Sequence, residues 1–163
     1  MRNTISDIQN VKLNNMKIVL DSIRKKGVVS RASIAKITGL TRATVSSLVD
    51  ELLGKGLVEE IGEGESSGGR KPILLKLKVN SCFAVGIDLS NDKIIKGYLC
   101  NLEAEVVATA EHKYENNFDS ILNAIQTIIS NLFKTVPEEC RVLGIGIGAA
   151  GIVNPSKNEV LFS

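Results

Sequence analysis

Residues 30–55 read SRASIAKITGLTRATVSSLVDELLGK, and this stretch decides the fold of the first half of the chain. Ser30 carries the side chain of an N-cap, able to accept from the unpaired N–H groups of a helix's first turn. The spacing predicts a helix from Arg31 to Thr38 with Ile34, Ala35 and Ile37 turned inward. Gly39 supplies the positive φ of a tight turn, and Leu40 follows as an apolar plug for the core. Thr41 then caps a second helix running to about Lys55, with Val45, Leu48, Val49 and Leu52 on one stripe. At about 100° per residue, Ala43, Ser46 and Ser47 point outward, with Arg42 and Thr44 on the flanks.

Upstream, Met16, Val19, Leu20 and Ile23 form the stripe of another amphipathic helix. It ends in Arg24-Lys25-Lys26-Gly27, where cations oppose the helix dipole and glycine suits the position past the end. Helix, glycine turn and helix within about 20 residues is the helix-turn-helix arrangement, and Ala35 is small where the two helices cross. The outer surface of the last helix is short and mostly uncharged. It suits a major groove, where Arg42 can offer a two-pronged donor to guanine. Asp50 and Glu51 lie one to two turns further on, where repulsion from phosphate matters less. The same residues also read as an ordinary three-helix surface with small polar groups facing water.

Downstream, Leu57 to Ile61 and Ile73 to Val79 read as two strands, the second alternating Leu75, Leu77 and Val79 with Lys76 and Lys78. The loop Gly62–Pro72 makes them a β-wing. Its tip, Ser66 to Pro72, presents Arg70 and Lys71 to a phosphate backbone or a narrow minor groove, although a plain Gly/Ser linker has the same composition.

Composition sets the frame for these readings. A 163-residue chain with 44% hydrophobic and 23% charged residues forms a core and is not disordered. The start is polar, and the longest apolar run, Gly144 to Val153, is far short of the ~20 residues of a membrane span. Three scattered cysteines exclude a disulfide scaffold and fit a reducing cytoplasm. The single histidine, His112, leaves little material for a zinc site or a histidine-based triad, and no metal, cofactor or catalytic residue is expected. Charge is uneven: residues 1–80 hold 14 Lys/Arg against 8 Asp/Glu, and residues 81–163 hold 6 against 10. A basic half of net +6 beside an acidic half of −4 suggests that the first half meets a polyanion.

In the second half, Cys82 to Asp88, Lys93 to Leu99 and Glu105 to Ala110 read as strands. Phe118, Ile121, Leu122, Ile125, Ile128, Ile129 and Leu132 lie on one broad helical face, Pro137 closes that helix, and Val142 to Gly148 reads as a buried strand. Three strands, a helix and a strand make half of a sheet-and-helix layer. Gly146-Ile-Gly148-Ala-Ala-Gly151 matches a dinucleotide fingerprint in spacing, but that motif needs a helix next, and Ile152-Val-Asn-Pro155 is a poor helix start. A nucleotide site is therefore not expected here.

Taken together, Ser30-Arg-Ala-x-Ile-Ala-x-x-Thr-Gly-Leu-Thr41, Ala43-Thr-Val-Ser46 and Leu57-Val-Glu-Glu60 resemble the amino-terminal domain of ROK-family transcriptional regulators. The wing Gly64-x-Ser-Ser-Gly-Gly-Arg-Lys-Pro72 followed by Val85-Gly-Ile-Asp-Leu89 is similar to the xylose-repressor type. The resemblance implies an α+β chain with a winged helix-turn-helix domain at 1–80 and a partial ribonuclease-H-like, actin-like α/β lobe at 81–163. It implies a homodimeric repressor of carbohydrate-utilisation genes that binds double-stranded operator DNA and answers to a sugar such as xylose. Arg42, Ala43, Ser46 and Ser47 are then expected to read bases, Ser30, Arg31, Thr41 and Thr44 to hold phosphate, and Arg70 and Lys71 to reach a neighbouring groove. In the family's kinases a D-x-G-x-T hairpin embraces ATP phosphates; here it reads Asp88-Leu-Ser90-Asn-Asp92, with serine for glycine and an added acid. Gly148 to Pro155 resembles the family's turn before the sugar-binding region. The family's catalytic aspartate, sugar contacts and zinc motif lie beyond Ser163, so the chain is expected to be a fragment or a shortened relative. A ROK-superfamily sugar kinase and a protein-binding winged helix are the other readings.

Overall fold

The computed structural model describes residues 2–65, 71–91, 93–115, 117–154, 156–157 and 159–162. It is a mixed α+β structure that divides between Lys78 and Val79 into two compact units.

The first unit runs α1 (Arg2–Lys26), β1 (Val28–Ser30), α2 (Arg31–Thr38), α3 (Arg42–Gly54), β2 (Val58–Glu63) and β3 (Ile73–Leu77). Both sequence-predicted caps form: the Ser30 side chain accepts from Ser33 N at 3.2 Å, and that of Thr41 from Thr44 N at 3.1 Å. Gly39 has φ 72°, and its N–H returns to Ala35 O, closing α2 so that α3 starts three residues later. Val19, Ile23, Ile34, Val45, Val49, Leu52 and Leu75 are fully buried, so the three stripes and one strand face meet in a single core. Replacing Thr41 by alanine removes an N-cap acceptor, and urea unfolding is expected to show a loss of about 1 kcal/mol. An unchanged midpoint would mean that α3 starts without this cap.

The unit differs from the sequence reading in several details, among them the ends of the hairpin strands, β2 reaching Glu63 and β3 stopping at Leu77 before Val79. Ile37, expected inward, is 50% exposed, because α2 is only two turns long and Ile34 alone occupies its buried line. Leu40 is half-buried and plugs the turn only partly. The short strand β1 has no counterpart in the sequence reading. It pairs antiparallel with β3, giving a three-stranded sheet in the order β1-β3-β2. The β2–β3 hairpin stem is closed by Gly64 N to Pro72 O at 2.8 Å. The expected loop tip from Ser66 to Arg70 lies outside the described residues.

The second unit holds β4 (Cys82–Asp88), β5 (Ile94–Cys100), β6 (Val106–Lys113), α4 (Phe118–Phe133), β7 (Arg141–Gly148), β8 (Ile152–Asn154) and β9 (Glu159–Phe162). The main sheet has the order β6-β5-β4-β7, antiparallel through the first three strands and parallel between β4 and β7. α4 crosses over between β6 and β7, as a parallel connection requires. It buries Ala124, Ile128 and Leu132 against Phe83, Val85, Ile87, Ile95 and Leu99. Asn117 caps it, accepting from Ser120 N at 2.9 Å. At the β5–β6 turn the buried Asn101 accepts from Glu103 N and Glu105 N and donates to Asn80 and Glu105, so its amide is fully used.

Here too the apolar face is narrower than the sequence pattern suggests. Phe118 is 76% exposed and Leu122 is exposed, since they lie at the rim of the α4 stripe, and α4 lies nearest β6 and β5. β7, expected to be a buried strand, is an edge strand with Leu143, Ile145 and Ile147 exposed. A continuous apolar run suits a strand covered on both faces; among the described residues β7 pairs with β4 alone, at the edge of the sheet. After Gly151 the chain enters the strand β8 rather than a helix. Among the described helices none is long and apolar enough to cross a membrane.

Candidate nucleic-acid interface

The candidate surface is the outer side of α3, held by the α2–α3 turn at one end and a network of charges around it. Arg42 and Ala43, in its first turn, are exposed, as is Ser47; Ser46 and Thr44 are half-buried. The inward residues are all valine or leucine, and their packing locks the rotation of the helix about its axis. Small side chains on the outer line leave the helix backbone within reach of a groove floor, and Arg42 alone carries a long charged donor there. Its guanidinium pairs with no carboxylate among the described residues, so its fork stands open to solvent.

The structure gives two of the sequence-predicted phosphate contacts other work. Ser30 is 8% exposed, caps α2 and shares a 3.0 Å hydrogen bond with the Ser33 hydroxyl. Arg31 donates to Asp50 at 3.0 Å through one terminal nitrogen and to Glu60 at 3.0 Å through the other. Its partial burial opposes the charged form, but the hydrogen bonds to Asp50 and Glu60 outweigh that and hold the guanidinium above its ordinary pKa. Arg31 thus joins the start of α2 to the third turn of α3 and to β2, and it neutralises the acid nearest the candidate surface. Thr41 and Thr44 share a 2.9 Å hydroxyl hydrogen bond at the start of α3. Lys71 stands beside β3 with Glu63 3.9 Å away, both exposed, while Arg70 lies outside the described residues.

A second network fixes α3 to α1. Glu51 accepts from Lys12 of α1 at 2.7 Å and from Lys55 at 2.8 Å. Lys12 first, then Lys55, hold its carboxyl below the ordinary value of 4.5. A depressed carboxyl contributes stability above the unfolded pKa and loses it as the pH falls through the folded one. Glu51→Gln is therefore expected to flatten the fall in thermal stability on acidification below pH 4.5. Parallel acid limbs for the two proteins would remove this role.

In the second unit, the hairpin that corresponds to a phosphate-binding turn is closed on itself. Ser90 N donates to Asp88 at 2.9 Å, and the Asn91 side chain accepts from Lys93 N and Ile94 N. Ser90, through its hydroxyl and its N–H, keeps the Asp88 carboxyl below the usual carboxylate range. Asp92 lies outside the described residues.

The chain is similar in sequence and fold to several known proteins. The chain is 35% identical over 158 residues to the xylose repressor of Bacillus spizizenii, covering 96% of this chain and 41% of the repressor. It is 26% identical over 162 residues to the DNA-binding transcriptional dual regulator NagC of Escherichia coli, covering 96% and 39%. Among solved structures, a ROK-family transcriptional regulator described as a homolog of the E. coli MLC protein superposes with a TM-score of 0.71 at 26% identity, over 93% of this chain and 39% of that one. No family model matches. The chain is thus similar in sequence to proteins named xylose repressors and in fold to a ROK-family transcriptional regulator. It spans about two fifths of the length of these relatives.

Proposed function

We propose that the chain is the operator-reading portion of a sugar-responsive repressor, built as a winged helix-turn-helix domain followed by part of a ribonuclease-H-like lobe. The observation that carries this reading is the outer line of α3: exposed, nearly free of charge, and headed by an exposed arginine on a capped, rigidly seated helix. In the proposed complex α3 lies in the major groove. Arg42, Ala43, Ser46 and Ser47 face base edges, and the hydroxyls of Thr41 and Thr44 face phosphate. Arg70 and Lys71 follow the backbone into the adjoining groove. Ser30 and Arg31 serve through the caps and ion pairs that orient α2 and α3. Two copies then meet a pseudo-palindrome in successive major grooves, roughly 34 Å or a multiple apart.

A transferase role for the second unit has less support. A phosphate cradle needs free backbone donors, and the Ser90 N–H is already spent on a carboxylate that stays ionised. The effector lobe is proposed to serve regulation, with xylose the first sugar to test because the relatives are named xylose repressors. Fluorescence anisotropy against the DNA upstream of this gene, at two salt concentrations and with and without xylose, tests the reading. Tight binding that exceeds binding to random duplex supports it. Equal affinity for both duplexes would overturn the assignment of α3 as a sequence reader.

A further inference from the structure

The amino-terminal helix is longer than its own core requires. α1 has 25 residues, yet its buried side chains, Met16, Val19 and Ile23, all lie in its second half. Residues 7–14 are exposed without exception. Among them and just beyond, Ile8 (65% exposed), Val11 (60%) and Ile18 (38%) stand three and seven residues apart. With Asn15 and Ser22 they complete the spacing 8, 11, 15, 18, 22, alternating steps of three and four. That is the a/d seam of a two-stranded coiled coil, turned about a quarter of the helix circumference away from the buried stripe.

We propose that this seam is the contact with a second copy of the chain, two α1 helices packing parallel about a twofold axis. Charge spacing selects a partner of this chemistry. In a parallel pair the residue before one seam position faces the residue five further along in the other helix. Asp7 then faces Lys12 of the second copy and Asp21, also 3.4 Å from its own Arg24, faces Lys26, so the two charged flanking pairs are of opposite sign; the middle pair, Asn14 and the buried Val19, carries no charge. Lys12 already reaches Glu51 of its own chain, but it is 57% exposed and has donors left for a second carboxylate. Asn15 meets its own counterpart across the axis, where a polar seam residue fixes register and favours two strands. At the lower end of the seam a groove of about 280 Å³ lies between α1 and α2, bordered by Ile18, Ser22 and the exposed Ile37. The partner's helix end fits there, which gives Ile37 a reason to be apolar and outward.

The contact deepens the reading of the chain as one of a pair on DNA, but it can be tested without DNA, so the two can fail separately. Sedimentation velocity of the full chain across a wide concentration range is expected to show a monomer–dimer equilibrium. Val11→Glu should weaken it about tenfold or more by placing two carboxylates in one layer. At concentrations where both proteins are monomeric its thermal unfolding should match the parent, because Val11 lies on the exposed part of α1, outside the core of its own chain. Under mild oxidation, Asn15→Cys should form a disulfide-linked dimer readily, whereas Asn10→Cys, on the outer side of α1, should do no better than the parent with its native cysteines. A chain monomeric throughout, dimerisation unaffected by Val11→Glu, or equal cross-linking at positions 10 and 15 would overturn the proposal.

Discussion

Replacing Gly97 by valine is expected to lower the stability of the second unit by about 3 kcal/mol, seen as a shift in its urea midpoint and thermal transition. Gly97 lies in the middle of β5, under α4. A Cβ there would overlap Ile128 Cγ2 and approach Leu132 Cδ1 to 3.1 Å and Ile87 Cδ1 to 3.4 Å. All three belong to the core, so the helix must lift or the side chains must leave their rotamers. Removing glycine also restricts the unfolded chain, which returns only about 0.5–1 kcal/mol. Overpacking wins. The cause is separable by a second change: Ile128→Ala alone opens a cavity, but combined with Gly97→Val it should cost less than the two changes summed. Simple additivity would mean that α4 does not rest on Gly97.

That dependence on one absent side chain marks the boundary of what is legible in the sequence. The starts of α2 and α3 are readable because cap, glycine turn and stripe are local signals of short range, and the structure repeats them at Ser30, Gly39 and Thr41. The meander β4–β6 and helix α4 are readable for the same reason. Strand β1 is not, since the two residues between Gly27 and the Ser30 cap are too few to show a period of two. Nor is the exposure of Leu143, Ile145 and Ile147, because an apolar run says what a strand can cover and not whether a neighbour is there. Arg31 is the clearest case at the candidate site. Its partners stand 19 and 29 residues away, so nothing local to SRAS distinguishes a phosphate contact from a clamp on Asp50 and Glu60. The outward placement of Arg42, Ala43 and Ser47, which follows from helical rotation, is legible, and the long-range ion pairing of Arg31 is not.

The clamp sharpens the second expectation, which concerns Arg42. With Asp50 neutralised by Arg31 and Glu51 by two lysines, the acids of α3 contribute little repulsion, and Arg42 is the cation on its exposed line. If it reads guanine, Arg42→Ala should cost about 1–3 kcal/mol on the specific duplex, a loss of roughly five- to 150-fold, and leave random duplex nearly unchanged. Lys71→Ala gives the contrast. A backbone contact carries no sequence information, so both duplexes should weaken alike and the slope of log affinity against log salt should fall by about one. Arg42→Lys separates charge from shape, because an ammonium keeps the charge but cannot reproduce the two parallel donors of a guanidinium. Specific affinity should therefore remain well below the parent while the salt slope stays the same. Equal losses on both duplexes for Arg42→Ala, with full rescue by lysine, would make it one more phosphate contact and leave base reading to the serines of α3.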